Sequence, residues 1–451
     1  MHTIKLRNIT FIVLCLLLFT SYNSGLIAPN ILGYSDELLL ALAVVVLLVP
    51  PLAKLKPDRI STLLIIYICY TLFNAAISKF SPNYFYALAQ SLIHLKLFIT
   101  AQAVLTLYRG SKLQIKLAKN IFFAFLALFI LGMLVNFVAG EYWNSLISND
   151  EMQYRYGFLR PAGYFGHYAP NSYFFSLALI TITMLYSKQI NVDRSSQIKK
   201  FFIFVIIDFL AAFPLTVRKG LFMIVPYGVY VLSLLKLSNR IIFTVAASLF
   251  LIAFVSVIAN TEMMTDTLNN FDNFFSDDHS YIRGLIVYYG YHLFLDFFPF
   301  GVGNGLYGTV FSNMNLSVYE YVGLNPYRLM RDDGTLSGVY DSGVSALMAE
   351  SGFIGMILVI AIIINFFKYN KKRLDIHGYR IFKVITFFAI LLSLTEPVWQ
   401  NGFFTTFYIS CLLYIYSKNN KFRINGRWQD FPENSKFQSN ASNTLKPSVT
   451  S

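Results

Sequence analysis

Long apolar runs, each closed by a short polar stretch, follow one another from end to end of the chain. Runs long enough to cross ~30 Å of hydrocarbon lie near residues 9–27, 36–53, 60–78, 85–107, 119–139, 171–187, 201–217, 220–236, 241–260, 343–367, 381–397 and 402–417. The pattern predicts an all-α polytopic integral membrane protein with about twelve spanning helices. An even number puts both termini on one side. Lys5 and Arg7 precede the first run, and no small-x-small cleavage site follows it, so this run is expected to stay as a span.

The polar stretches between the runs differ in charge. Every second one is basic: Lys54, Lys56 and Arg59; Arg109, Lys112, Lys116 and Lys119; Lys188, Arg194, Lys199 and Lys200; Lys236 and Arg240; Lys371, Lys372, Arg373 and Arg380; then Lys418, Lys421, Arg423 and Arg427 near the C-terminus. Cytoplasmic loops carry the Lys/Arg excess, so both termini are expected in the cytoplasm. The runs and loops divide the chain into membrane helices over 1–140, a membrane core over 141–425 with an extracytoplasmic loop over 261–341, and a tail over 426–451. The tail is rich in Ser, Asn, Lys and Pro and is expected to be disordered.

Composition changes this picture little. Hydrophobic residues make up 56% of the 451 and charged residues 13%, too apolar for a single soluble core. The net charge of +13 is accounted for by orientation and points to no nucleic-acid partner. Cys15, Cys69 and Cys411 lie in apolar runs, which argues against a disulfide framework. The six histidines are scattered, so no metal site is expected and no cofactor is implied.

The cations that break the orientation rule are more informative. On the outer side stand Lys79, Arg155, Arg160, Arg218, Lys219, Arg283, Arg328 and Arg331. All but Lys79 fall in three segments. The planar guanidinium fork suits phosphate oxygens, while pairing of Arg328 and Arg331 with Asp332, Asp333 and Asp341 is the plainer use. The first segment, Arg155-Tyr-Gly-Phe-Leu-Arg-Pro-Ala-Gly-Tyr-Phe-Gly-His-Tyr-Ala-Pro-Asn171, leads into a helix and holds His167, a phosphate donor or simply a wet loop histidine. The second, Phe213-Pro-Leu-Thr-Val-Arg-Lys-Gly220, is a turn with Arg218 and Lys219 at a helix start, where anions are favoured. Snorkelling to lipid headgroups is the competing use. The third is the long loop, whose apolar stretch 281–300 reads as an interfacial or re-entrant helix carrying Arg283.

Ionisable residues also fall inside runs. His94 and Lys96 lie in the fourth and Asp208 in the seventh; for Lys96 and Asp208 a structural ion pair and a functional role are equally open. Glu396, beside Pro397 and Trp399, opens on the outer face and is the better site candidate.

Four pieces in this order resemble the O-antigen polymerase and O-antigen ligase superfamily: Gly-Tyr-Phe-Gly-His-Tyr-Ala-Pro-Asn before a helix, the Leu215-Thr-Val-Arg-Lys-Gly turn, Pro299-Phe-Gly-Val-Gly, and Ala349-Glu-Ser-Gly-Phe-Ile-Gly355. They cover residues 155 to 355. The turn departs from the family's usual Ser-Arg, with Val217-Arg218 in its place and Lys219 added. The ligase branch typically has a histidine where this chain has Tyr340-Asp341-Ser342, which favours the polymerase branch.

The resemblance implies a GT-C-like, metal-independent glycosyltransferase of the bacterial cytoplasmic (inner) membrane. Its substrates would be undecaprenyl-pyrophosphate-linked oligosaccharides at the outer leaflet, with membrane lipids, a chain-length regulator and a flippase as partners. By the resemblance Arg155, Arg160, Arg218 and Arg283 handle the pyrophosphate; with the carboxylates Asp341 and Glu396 as candidate bases, the expected catalytic set is Arg218, Arg283, Asp341 and Glu396. The outer cations and the loop histidine add Arg155, Arg160, His167, Lys219, Arg328 and Arg331 as expected substrate contacts. A ligase, and a transporter or flippase of lipid-linked sugars, are the other functions this plan allows.

Overall fold

The computed structural model describes residues 2–24, 34–49, 59–147, 153–155, 158–164, 168–186, 194–215, 218–234, 282–324, 339–340, 342–419, 421–424 and 427–430, with scattered positions between 240 and 248. The first helices are α1 (His2–Asn23), α2 (Ser35–Leu48), α3 (Arg59–Ile77), α4 (Tyr84–His94), α5 (Lys96–Leu107), α6 (Lys112–Ala139) and α7 (Glu141–Ile147). A hairpin of β1 (Gln153–Arg155) and β2 (Phe158–Arg160) precedes α8 (Tyr168–Tyr186) and α9 (Arg194–Leu215). A 3₁₀ turn, Arg218–Met223, opens α10 (Ile224–Leu234). Then come α11 (Ile282–Asp296), a 3₁₀ turn Val310–Met314, α12 (Ser317–Tyr321), α13 (Gly343–Arg373), α14 (Ile376–Leu392) and α15 (Gly402–Ser417).

Among the described residues, four helical segments are long and apolar enough to cross a membrane: Leu6–Asn23, Arg59–Ile77, Lys112–Ala139 and Gly343–Arg373. The pair α4 and α5 makes a fifth if counted as one span. The fold is therefore that of a helical, multi-pass membrane protein. The expected run 241–260 lies almost wholly outside the described residues.

At the centre stands α15. Apart from Tyr414, every residue from Phe404 to Ser417 is buried. A helix apolar on all sides belongs in the interior, and α1, α5, α6, α8 and α14 pack around it. Its start is fixed by Asn401, whose side chain accepts the Phe404 N–H at 2.9 Å. Asp375 caps α14 in the same way at 2.6 Å, and Ser342 caps α13 at 3.2 Å. Each cap satisfies an amide that the first helical turn leaves without a partner.

The sequence predicts one helix over 85–107, and the structure corrects this. The run bends by 64° between α4 and α5. No proline or glycine stands at the break, the usual causes of a sharp bend. The cause is tertiary: Leu97 N–H donates to Trp399 O at 3.2 Å instead of continuing the helical ladder. The flanking His94 and Lys96 are drawn to different partners, Glu350 in α13 and Asp36 in α2.

A second break lies in α13 at Gly352, with φ 58° and ψ −166°. The coil after α11 fills it. Val302 N–H donates to Ala349 O at 2.9 Å, Gly303 N–H to Glu350 O at 3.1 Å, and Ile354 N–H to Pro299 O at 3.2 Å. From α3, Tyr70 and Asn74 donate to the Phe300 carbonyl at 2.9 and 3.0 Å. The two backbones nearly touch: a Cβ on Gly352 would lie 2.4 Å from Gly301 N, and one on Gly301 2.5 Å from Gly352 N. Both positions require glycine, for space and for their positive φ.

The loop expectation also gains detail. Helix α11, 15 residues long, covers most of the stretch read as interfacial, and at ~1.5 Å per residue it falls short of a span. With residues 302–319 it builds a small apolar core of its own around Ile286, Leu293, Tyr307 and Tyr319. Burial pushes the Tyr307 and Tyr319 hydroxyls well above the usual tyrosine range.

Two short strands lie at the start of the C-terminal stretch. Lys421–Ile424 (β3) and Arg427–Asp430 (β4) pair antiparallel, with Arg423 opposite Trp428. The sequence puts Asn425-Gly426 between them, the dipeptide most favoured in two-residue hairpins. Residues 431–451 lie outside the described set.

Candidate functional site

One end of the helical body gathers several of the residues singled out by sequence. Lys219 follows Arg218 in the 3₁₀ turn that begins α10, and its ammonium pairs with the Glu396 carboxylate. Lys219 also donates to Thr395 O at 3.3 Å. Gly220 lets the turn press against α8: its N–H donates to Ser172 Oγ at 3.1 Å, and a Cβ there would meet Ser172 O at 2.7 Å. Lys219 and Glu396, chosen separately from the sequence, thus form one half-buried ion pair.

The same end holds the start of α13. Val344 N–H donates to Ser393 O at 3.2 Å, and a Cβ on Gly343 would meet Pro397 Cα at 3.1 Å. Helix α11 packs against α13. Ser345 Oγ donates to Ile286 O at 2.9 Å, and fifteen residues later Gly301 meets Gly352. Arg283 stands one turn before Ile286, and Ser342 one turn before Ser345. The start of α13, the Glu396 turn and the Lys219 turn therefore meet at one end, and α11 touches α13 there at Ser345, one turn after Arg283.

Arg155 and Arg160 sit on the hairpin, in register with Phe158 and Gln153 respectively. Strand β2 lies against α9. The segment that follows is pinned from three sides. Gly163 N–H donates to Asn136 Oδ1 at 2.7 Å, Trp143 Nε1–H to Gly163 O at 2.8 Å, and Asn171 Nδ2–H to Pro161 O at 2.8 Å. His167, Arg328, Arg331 and Asp341 lie outside the described residues. Lys79, the outer cation apart from the three segments, sits 3.9 Å from the Tyr321 ring centre and 4.7 Å from that of Phe297. Aromatic faces hold it there by cation–π attraction.

Sequence reasoning missed the best-connected carboxylate. Glu350, fully buried, occurs in the Ala349–Gly355 motif, where no role was assigned to it. Its Oε1 accepts from Gly305 N–H at 2.8 Å, Tyr307 N–H at 2.9 Å and Thr309 Oγ1–H at 3.0 Å. Its Oε2 lies 2.7 Å from His94 Nε2. Gln400 Nε2 donates to His94 Nδ1 at 3.1 Å, which leaves the ring proton on Nε2, facing the carboxylate. Gln90 in turn donates to Gln400 Oε1 at 3.3 Å. With four donors converging, Glu350 holds the glycine-rich coil 303–309 in place. The available signals were an acid inside a glycine motif and a histidine inside an apolar run.

Two more ionisable residues lie inside the helical body. Lys96 pairs with Asp36; Asp208 Oδ1 accepts from Ser176 Oγ at 2.5 Å, while its buried Oδ2 has no hydrogen-bond partner among the described residues. Among the described residues, no three His, Cys, Asp or Glu side chains come close enough to hold a metal ion. No family model and no curated protein matches the chain.

Proposed function

We propose that the chain is a membrane glycosyltransferase that polymerises undecaprenyl-pyrophosphate-linked oligosaccharide units into surface polysaccharide at the outer leaflet of the cytoplasmic membrane. The about twelve spans, cytoplasmic termini and GT-C-like architecture belong to the same proposal. The observation that carries it is the Lys219–Glu396 pair beside the start of α13, which α11 in turn touches one turn after Arg283.

In this mechanism an acceptor hydroxyl attacks the donor's anomeric carbon while the lipid pyrophosphate leaves with growing negative charge. Fixed cations in a partly dry site stabilise that charge more in the transition state than in the ground state. Lys219 and Glu396 neutralise each other in the resting fold. A bound pyrophosphate competes for the Lys219 ammonium and frees the Glu396 carboxylate to take the acceptor's proton. Asp341, next to the N-cap of α13, is the alternative base.

The test is replacement of Arg218 or Arg283 by Ala, with surface glycan length and protein level read together. Loss of polymer at normal protein level supports the proposal, and full-length polymer overturns it. A ligase is separated by deleting the gene: polymer stranded on its lipid carrier marks a ligase, single units on lipid A a polymerase. One observation favours a transporter of lipid-linked sugars instead. Broken helices with paired charges inside, as at His94–Glu350 and Lys96–Asp36, are found at transporter binding sites. Single units accumulating on the cytoplasmic side of the deletion strain would establish it.

A further inference from the structure

A cavity of about 370 Å³ lies between α10 and α14, away from the Glu396 end. The two helices run antiparallel: Lys219, just before α10, meets Glu396, just after α14, and Tyr230 hydrogen-bonds Arg380 near the other end. The lining is divided along this axis. Arg380, Lys383, Tyr230 and Ser233 stand at one end, and the remainder, Val229 and Phe387 among it, is apolar up to Val225 and Leu391. Among the described residues no carboxylate lines it. From Lys383 to Leu391 the groove extends ~12 Å along the helix. Val229 is 62% exposed and Phe387 49%, so the groove opens sideways rather than into the protein.

We infer that this groove binds one anionic phospholipid, its phosphate between Arg380 and Lys383 and an acyl chain along Val229 and Phe387. Charge complementarity carries the inference. Two cations close an otherwise apolar slot, a division that matches a lipid's headgroup and tail. The cationic end continues the basic stretch Lys371, Lys372 and Arg373, which the charge pattern places in the cytoplasm. Anionic lipids are concentrated in that leaflet, and basic pockets between spanning helices there suit their headgroups. The inference does not rest on glycosyl transfer.

The experiment is native mass spectrometry of the full chain released from nanodiscs of phosphatidylcholine with phosphatidylglycerol, repeated with undecaprenyl phosphate added. The wild type keeps one phosphatidylglycerol in preference to phosphatidylcholine. The double variant Arg380→Gln/Lys383→Gln weakens retention about thirtyfold, since each cation near the surface contributes a factor of about five. Val229→Trp, which keeps both charges and fills the slot, also loses the lipid. It decides the matter if the double variant does not fold. Equal retention of both phospholipids by the wild type, unchanged retention by the variants, or displacement of phosphatidylglycerol by equimolar undecaprenyl phosphate overturns the inference.

Discussion

His94 and Glu350 stand 256 positions apart in sequence and 2.7 Å apart in space, with neither side chain open to solvent. The pair ties the bend between α4 and α5 to the break in α13. Glu350 also carries the glycine-rich coil on its other oxygen. The α4–α5 bend, the break in α13 and the 303–309 coil thus meet at one carboxylate.

Replacing Glu350 by Ala strands four donors in a dry interior and is expected to cost about 3–5 kcal/mol. Reversible unfolding in detergent measures it. His94→Ala costs less, and the two losses do not add, because one contact is counted in both. Additive losses in a double-mutant cycle would show that the pair is not coupled.

Glycine substitutions separate strain from collision. Gly323 has φ 75° and nothing within 4 Å of the place a methyl group would take, so Gly323→Ala is expected to cost only ~1–2 kcal/mol of backbone strain. Gly352→Ala meets Phe300 C at 2.3 Å as well and is expected to prevent stable folding. Comparable melting temperatures for the two variants would contradict the contact between coil and helix.

Lys219 and Glu396 are open to a charge exchange. Lys219→Glu or Glu396→Lys alone places like charges together and lowers stability, and the double exchange restores it. Polymer synthesis stays lost in the double exchange if the ammonium must meet pyrophosphate and the carboxylate an acceptor. Stability and glycan length, read on the same three variants, separate pairing from chemistry.

Alkaline pH should weaken the loop core. Tyr307 and Tyr319 hold their protons above the ordinary tyrosine value of about 10 because burial disfavours the phenolate. Above that pH the unfolded chain binds fewer protons than the folded one, so stability falls as pH rises. Below it their contribution is complete. Tyr307→Phe keeps the ring and is expected to flatten the alkaline slope, as seen in melting temperature against pH.

How much of this was legible in sequence varies with the range of the cause. Helix α15 begins and ends where the apolar run does, since Asn401 caps it and Lys418 follows it. The membrane character rests on composition and is equally direct. The bend at Leu95 is not written in residues 85–107, because its cause is Trp399 and the partners of His94 and Lys96. Gly352 looks like one of several glycines in a helix start, and only Gly301 explains it. Lys219 and Glu396 stand out singly as charges in unfavourable places. Their pairing needs the antiparallel packing of α10 on α14. The pairing of β3 with β4 is hinted at by the dipeptide Asn425-Gly426 in the sequence but hidden by the polar composition around it.

The crossing of Gly301 and Gly352 has a mechanical consequence. Each main chain passes through the notch left by the other's missing side chain, like two half-lapped timbers, and neither can slide without being lifted out. Any opening that admits a bulky substrate near the head of α13 must therefore carry the 299–309 coil along as freight, and the hinge has to lie elsewhere.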